Sequence, residues 1–137
     1  MQKQPRRGTR IAHVGIAVES IAELLPFYRD ILGMEQAALD DSDGARIVGF
    51  EAGDSLVELL EAESPDTPVG RFVARRGSAI HHICFAVDDL DEMLDRCRRA
   101  GMRLIDDEPR IGAEGIRIAF IHPASTGGVL IELTEHS

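Results

Sequence analysis

His13-Val14-Gly15-Ile16-Ala17-Val18 returns as His82-Ile83-Cys84-Phe85-Ala86-Val87, and this echo decides the fold. Each copy is an apolar run of strand length opened by a histidine. Each leads into a helix-start signal, Ser20-Ile21-Ala22-Glu23 in the first half and Asp89-Leu90-Asp91-Glu92 in the second. In that pattern a short oxygen-bearing side chain satisfies one of the free N–H groups of a helix's first turn. Each half then closes on a strand with one carboxylate among apolar residues, Val57-Glu58-Leu59 and Ile131-Glu132-Leu133. The chain reads as one unit written twice.

Working outward, residues 11–18 form the first strand, and a helix runs from the Ser20 cap to Gly33, a good residue for a left-handed stop. Pro26 lies within that stretch and lacks a backbone donor, so the helix either kinks there or starts late. Strands follow at 35–39, 45–52 and 55–61, with turns at 40–44 and at Gly53-Asp54. In the second half, residues 80–87 form a strand. Leu90, Met93, Leu94 and Cys97 then mark one helix face, and Gly101 ends that helix. Strands at 103–105, 116–122 and 129–134 complete the half. The expected architecture is α+β: two tandem βαβββ modules whose strands form a paired, curved mixed sheet around a metal site. Module 1 spans 10–62, the linker 63–78 carries a short helix at 69–76, and module 2 spans 79–135. All belong to a single domain, 10–137, behind a flexible arm at 1–9.

Composition narrows the function. A chain of 137 residues is long enough to bury one shared core. Its net charge of −9 disfavours nucleic acid, which needs a basic face. An anionic small molecule needs only a few local cations. No apolar run reaches the roughly 18 residues of a membrane helix, and Met1 to Arg10 has no secretory apolar core. Cys84 and Cys97 are too few for a disulfide framework and suit reduced thiols in the cytoplasm.

Alternation along a strand puts His13 on the face of Gly15 and Ala17, and His82 on the face of Cys84 and Ala86. The larger Val14, Ile16, Val18 and Ile83, Phe85, Val87 take the other face, under the helices. Each histidine thus looks out over small residues that leave room for a ligand. His81, next to His82, is expected on the opposite face and is set aside as a ligand. Glu58 and Glu132 need a partner if buried, and a divalent cation shared with the two histidines supplies one. A lone strand histidine or glutamate is more often structural; recurrence of both types at matching places favours the metal ligands His13, Glu58, His82 and Glu132. Such a nitrogen–oxygen set suits Co, Ni, Zn or Mn.

Further motifs carry a resemblance. They are Gly77-Ser78-Ala79-Ile80-His81-His82-Ile83, the run Leu104 to Ala113 with Asp106-Asp107-Glu108-Pro109-Arg110, and Phe120-Ile121-His122-Pro123 continuing to Leu133. In the first half, Val57 to Glu61 and Ser64 to Pro68 fit as well. From about Ile11 to Thr134 the chain resembles the vicinal oxygen chelate superfamily, and within it the methylmalonyl-CoA epimerases. The resemblance implies the paired βαβββ fold, a homodimer and an acyl-CoA substrate. It implies interconversion of (2R)- and (2S)-methylmalonyl-CoA through an enolate, with cobalt or another divalent cation held by His13, Glu58, His82 and Glu132. In some members a glutamate stands at the place of Ile47 and a glutamine at that of Glu58. With those two positions changed, Glu132 and Glu58 become the expected catalytic acid–base pair. A glyoxalase I-type lactoylglutathione lyase and a non-catalytic small-molecule binder of the same fold are the alternatives. His122, the arginines 71, 75, 76, 110 and 117, and the turn Ser125-Thr126-Gly127-Gly128 are secondary candidates for pocket rim or anion contact, while His136 is expected in a frayed tail.

Overall fold

The computed structural model describes residues 8–37, 44–112 and 115–136. Its strands are β1 (Arg10–Val18), β2 (Gln36–Ala37), β3 (Ala45–Ala52), β4 (Ser55–Ala62), β5 (Ala79–Val87), β6 (Arg110–Ile111), β7 (Arg117–Ile121) and β8 (Leu130–Glu135). They form one eight-stranded sheet in the order β2-β3-β4-β1-β5-β8-β7-β6. β1 runs parallel to β4 and β5 parallel to β8, while β1 and β5 meet antiparallel in the middle. An approximate twofold axis between β1 and β5 therefore relates the modules, and the first strand of each lies at the centre.

The helices start where the caps predict. The Ser20 hydroxyl accepts from the Glu23 N–H ahead of α1 (Ile21–Leu25), and Asp89 accepts from the Glu92 N–H ahead of α3 (Leu90–Arg99). The first helix starts at Ile21 without delay, and Pro26 takes the first position of a second helical segment. The hydrogen bonding widens into a π-helical stretch, Pro26–Ile31, whose Leu32 N–H reaches back to Phe27 C=O. A proline cannot supply the donor of an ordinary turn, and the wider turn absorbs the loss. Gly33 ends this stretch with φ +66°, as expected. Thr67 caps the linker helix α2 (Pro68–Arg76).

The helix side of the sheet holds two cores, Val18, Ile21, Phe50 and Leu59 in the first module and Val87, Leu90, Leu94, Ala119, Ile121 and Leu133 in the second. Fully burying side chains of this size is worth roughly 1.5–3 kcal/mol each. On the other face α2 packs Val69, Phe72 and Val73 against Ala17, Ala45 and Leu60. Two carboxylates that the sequence reading passed over tie sheet to helix. Glu61 accepts from the Ile21 N–H at 2.6 Å and Glu135 from the Leu90 N–H at 3.0 Å. Each stands three residues after Glu58 or Glu132, so alternation sends it to the helix side, where a helix N-terminus favours an anion.

Several expectations need correcting. Residues 103–105 make only a bridge between Leu104 and Ile121. The chain then bends, and the Asp106 carboxylate accepts from the Phe120 N–H at 2.8 Å. The strand matching β2 comes later, at Arg110–Ile111. His136 is not in a frayed tail: its side chain is 7 % exposed, and its Nε2 lies 2.7 Å from Gly8 C=O and 3.4 Å from Asp88. Most of the expected arm, residues 38 and 39 of the expected strand 35–39, residues 40–43 of the expected turn 40–44, and Ala113 lie outside the described residues. Among the described residues, no helix is long and apolar enough to cross a membrane.

Candidate metal and acid–base site

Register builds the site. Across the sheet one rung runs Glu58, Gly15, His82, Leu130, and the next runs Leu56, His13, Cys84, Glu132, Phe120. The twofold axis exchanges these rungs. Each histidine on a central strand therefore faces a small residue of the other central strand, and the carboxylates stand on the flanking strands β4 and β8. The four side chains predicted from the sequence converge on one face, with side-chain exposures between 9 and 17 %.

The donor atoms are close. His13 Nε2 and His82 Nε2 are 3.0 Å apart, and each lies 3.2 Å from Glu132 Oε1. Glu58 Oε2 lies 3.4 Å from the other ring nitrogen of His13, Nδ1. His13, Glu58 and His82 offer ligand atoms within 4.8 Å of one another, as do His13, Cys84 and Glu132. For metal–ligand bonds of about 2.1 Å, neighbouring donors of an octahedral shell lie about 3 Å apart. The triangle of two imidazole nitrogens and one carboxylate oxygen matches that spacing, so the residues fit a divalent cation.

Electrostatics follow from packing. Burial opposes ionisation of Glu132, but its contacts with His13 and His82 prevail and hold its pKa down at about 2. Burial also works against a charge on His13, yet the hydrogen bond to Glu132 and the charges of Glu58 and Glu132 raise its pKa above 6.5. The Cys84 thiol is pushed up, first by burial and then by Glu132 and Glu58, so it remains a thiol. The space beside His13 that the sequence suggested for a ligand has another use. A Cβ at Gly15 would lie 2.6 Å from Nδ1 and 2.8 Å from Nε2 of His82, so Gly15 is the seat of the His82 ring.

His81 departs from the alternation argument. Gly15 pairs with His82 and Ile16 with Ile80, which leaves His81 as the extra residue of a β-bulge. Ala12 is the matching extra residue of β1, between Ile11 and His13. A bulge re-aims side chains, and the His81 ring turns to its neighbour: Nδ1 lies 2.9 Å from His82 Nδ1. Phe72 of α2 packs edge-on against it at 4.9 Å. Burial, and then the electrostatic interaction with neighbouring His82, lower the His81 pKa to about 4, so the His81 ring is neutral at pH 7.

The secondary candidates separate. The Arg110 guanidinium lies 5.1 Å above the Phe120 ring, which packs edge-on to His82, and it also meets Asp106 at 3.4 Å. That places a cation beside the site. Arg117 instead pairs with Asp91 and Glu135 on the α3 side. Arg71 binds the Asp66 carbonyl and Arg76 lies over Phe72. His122 caps a 3₁₀ turn, Pro123–Ser125, by accepting from the Ala124 N–H. Within the Ser125–Gly128 turn, the Ser125 hydroxyl accepts from the Arg103 N–H and the Gly128 N–H donates to Pro123 C=O.

Two βαβββ modules joined through their first strands, with a His/Glu cluster at their axis, define a vicinal oxygen chelate protein. Residues 12–120 match the model of the glyoxalase/bleomycin resistance protein/dioxygenase superfamily. The chain is 40% identical to uncharacterized protein YqjC of Bacillus subtilis (strain 168), over 92% of this chain and 91% of that one. It is 34% identical to the ethylmalonyl-CoA/methylmalonyl-CoA epimerase of Cereibacter sphaeroides, over 92% of this chain and 97% of that one. The crystal structure of methylmalonyl-CoA epimerase from Mycobacterium tuberculosis superposes with a TM-score of 0.85 at 34% identity, covering 93% of this chain and 87% of that one. The chain belongs to this superfamily and, within it, to the methylmalonyl-CoA epimerase family.

Proposed function

We propose that the chain is a divalent-metal-dependent epimerase that interconverts (2R)- and (2S)-methylmalonyl-CoA, with His13, His82, Glu58 and Glu132 as the metal-binding residues. The observation that carries this is the triangle of His13 Nε2, His82 Nε2 and Glu132 Oε1, with edges of 3.0–3.2 Å. Cobalt is the ion that the family resemblance implies, and manganese, nickel and zinc can use the same donors. A bound cation supplies Lewis acidity at the thioester oxygen, where charge develops when the α-proton leaves. Epimerisation needs a proton acceptor on one face of the α-carbon and a donor on the other. Glu58 on β4 and Glu132 on β8 flank the histidine strands from opposite sides, and each is assigned proton transfer on one face. Glu132 is ionised at neutral pH, the form from which a proton acceptor starts. Arg110, braced on Phe120, is assigned to the anionic groups of the acyl-CoA, which guanidinium binds well.

The glyoxalase I-type alternative shares fold and donors; the epimerase relatives favour the malonyl thioester. A homodimer and a cytoplasmic location belong to the same proposal, and the buried free thiols Cys84 and Cys97 support a reducing compartment. The test starts from a single epimer. Incubated with pure (2R)-methylmalonyl-CoA, cobalt-loaded protein should produce the (2S) epimer, and prior chelation should stop it. Formation of no (2S) epimer by protein of verified metal content would refute the proposal.

A further inference from the structure

We infer that His81 is a positioning residue: its bulged backbone brings its Nδ1 to accept the Nδ1–H of His82, which leaves His82 Nε2 bare and aimed at the metal position. The inference rests on His82 being a metal ligand. An imidazole can ligate only through a nitrogen without hydrogen, and the bond made by its other nitrogen decides which one that is. The two histidines solve this differently. Nδ1 of His13 meets the Glu58 carboxylate at 3.4 Å, an acceptor with no hydrogen to offer. Nδ1 of His82 meets His81 Nδ1 at 2.9 Å. Were His81 the donor in that contact, His82 would carry its hydrogen on Nε2, facing Glu132, and could not ligate through it.

Two features hold His81 to this task, and a third sets it apart from the other module. The bulge makes it the unpaired residue between the Gly15–His82 and Ile16–Ile80 pairs, so it is re-aimed without disturbing the ladder on either side. Phe72 of the linker helix packs edge-on to its ring. Its twofold counterpart in β1 is Ala12, which has no side chain able to make such a bond. The linker helix, which occurs once among the described residues, is thereby connected to one of the two otherwise equivalent histidines.

The test reads metal binding and tautomer, with no turnover measured. Two-bond ¹H–¹⁵N correlation spectra of the metal-free protein should show His82 protonated on Nδ1 alone. Calorimetric titration with Co²⁺ should show His81→Leu binding roughly 10- to 100-fold more weakly than wild type. His81→Asn, whose amide oxygen stands near the place of Nδ1, should recover most of that loss. An Nε2–H tautomer at His82 in the wild type would overturn the inference even if neither variant folds. So would unchanged Co²⁺ affinity in a folded His81→Leu protein, or no recovery in a folded His81→Asn protein. If the wild type itself binds no Co²⁺, the metal reading falls, and the tautomer spectrum still decides the hydrogen bond.

Discussion

Gly15→Ala adds one methyl group, and the structure says where it goes. The new Cβ would stand 2.6 Å and 2.8 Å from the two nitrogens of His82, and nearer still to Cε1. Ordinary carbon contacts lie near 3.5 Å, so the ring must retreat by about 1 Å. The backbone offers no objection, because Gly15 is not among the glycines with positive φ. The fold should therefore lose only the roughly 1–3 kcal/mol typical of overpacking. The site should lose much more. Its donors are 3.0–3.2 Å apart, and moving His82 Nε2 by about 1 Å takes it out of a shared coordination shell. A misplacement of that size costs on the order of 100-fold in rate. Thermal unfolding of the metal-free variant, Co²⁺ titration and the epimerisation rate should be measured on one preparation. The expected pattern is a small fall in melting temperature with large losses in affinity and rate. A folded Gly15→Ala protein with wild-type Co²⁺ affinity and rate would refute the claim that this glycine seats a ligand.

Other predictions bear on the charged groups. Glu132→Gln and Glu58→Gln, each loaded with metal, should lose proton exchange on one face of the substrate first; full turnover in Glu58→Gln would remove Glu58 from the acid–base pair. Because the Glu132 pKa falls from 4.5 to about 2 on folding, its stabilisation of the metal-free protein is present above pH 4.5 and lost as pH falls toward 2. Denaturant unfolding of wild type against Glu132→Gln should therefore diverge by on the order of 2–3 kcal/mol between pH 2 and pH 5, and a constant difference would contradict this. Arg110→Ala should raise KM for the acyl-CoA more than it lowers kcat, read from initial rates at saturating metal; an unchanged KM would remove Arg110 from substrate binding.

The repeat made most of the architecture legible, because a histidine strand, a cap and a glutamate strand recur in order and one module predicts the other. The clustering of the candidate residues was legible for the same reason: alternation puts His13, Glu58, His82 and Glu132 on one face, and the sheet register brings them together. What was missed comes from local breaks in periodicity. A bulge inserts one residue with no signature in the residue types, so strict alternation misplaced His81. The module-2 segment at 103–105 has a strand's composition, yet Asp106 caps Phe120 and bends the chain away. Pro26 signalled an irregularity, but a π-helical turn, a kink and a late start all relieve the same missing donor. The seat of His82 on Gly15 joins residues on different strands and shows only once the strands are in register.

The central claim is that this His/Glu cluster, with a metal bound, moves the α-proton of a malonyl thioester. Proton NMR of methylmalonyl-CoA in D₂O tests it directly. With metal-loaded protein the α-proton signal should disappear as deuterium enters, chelation should stop the exchange, and added Co²⁺ should restore it. An α-proton that persists in the presence of folded, metal-loaded protein would contradict the account.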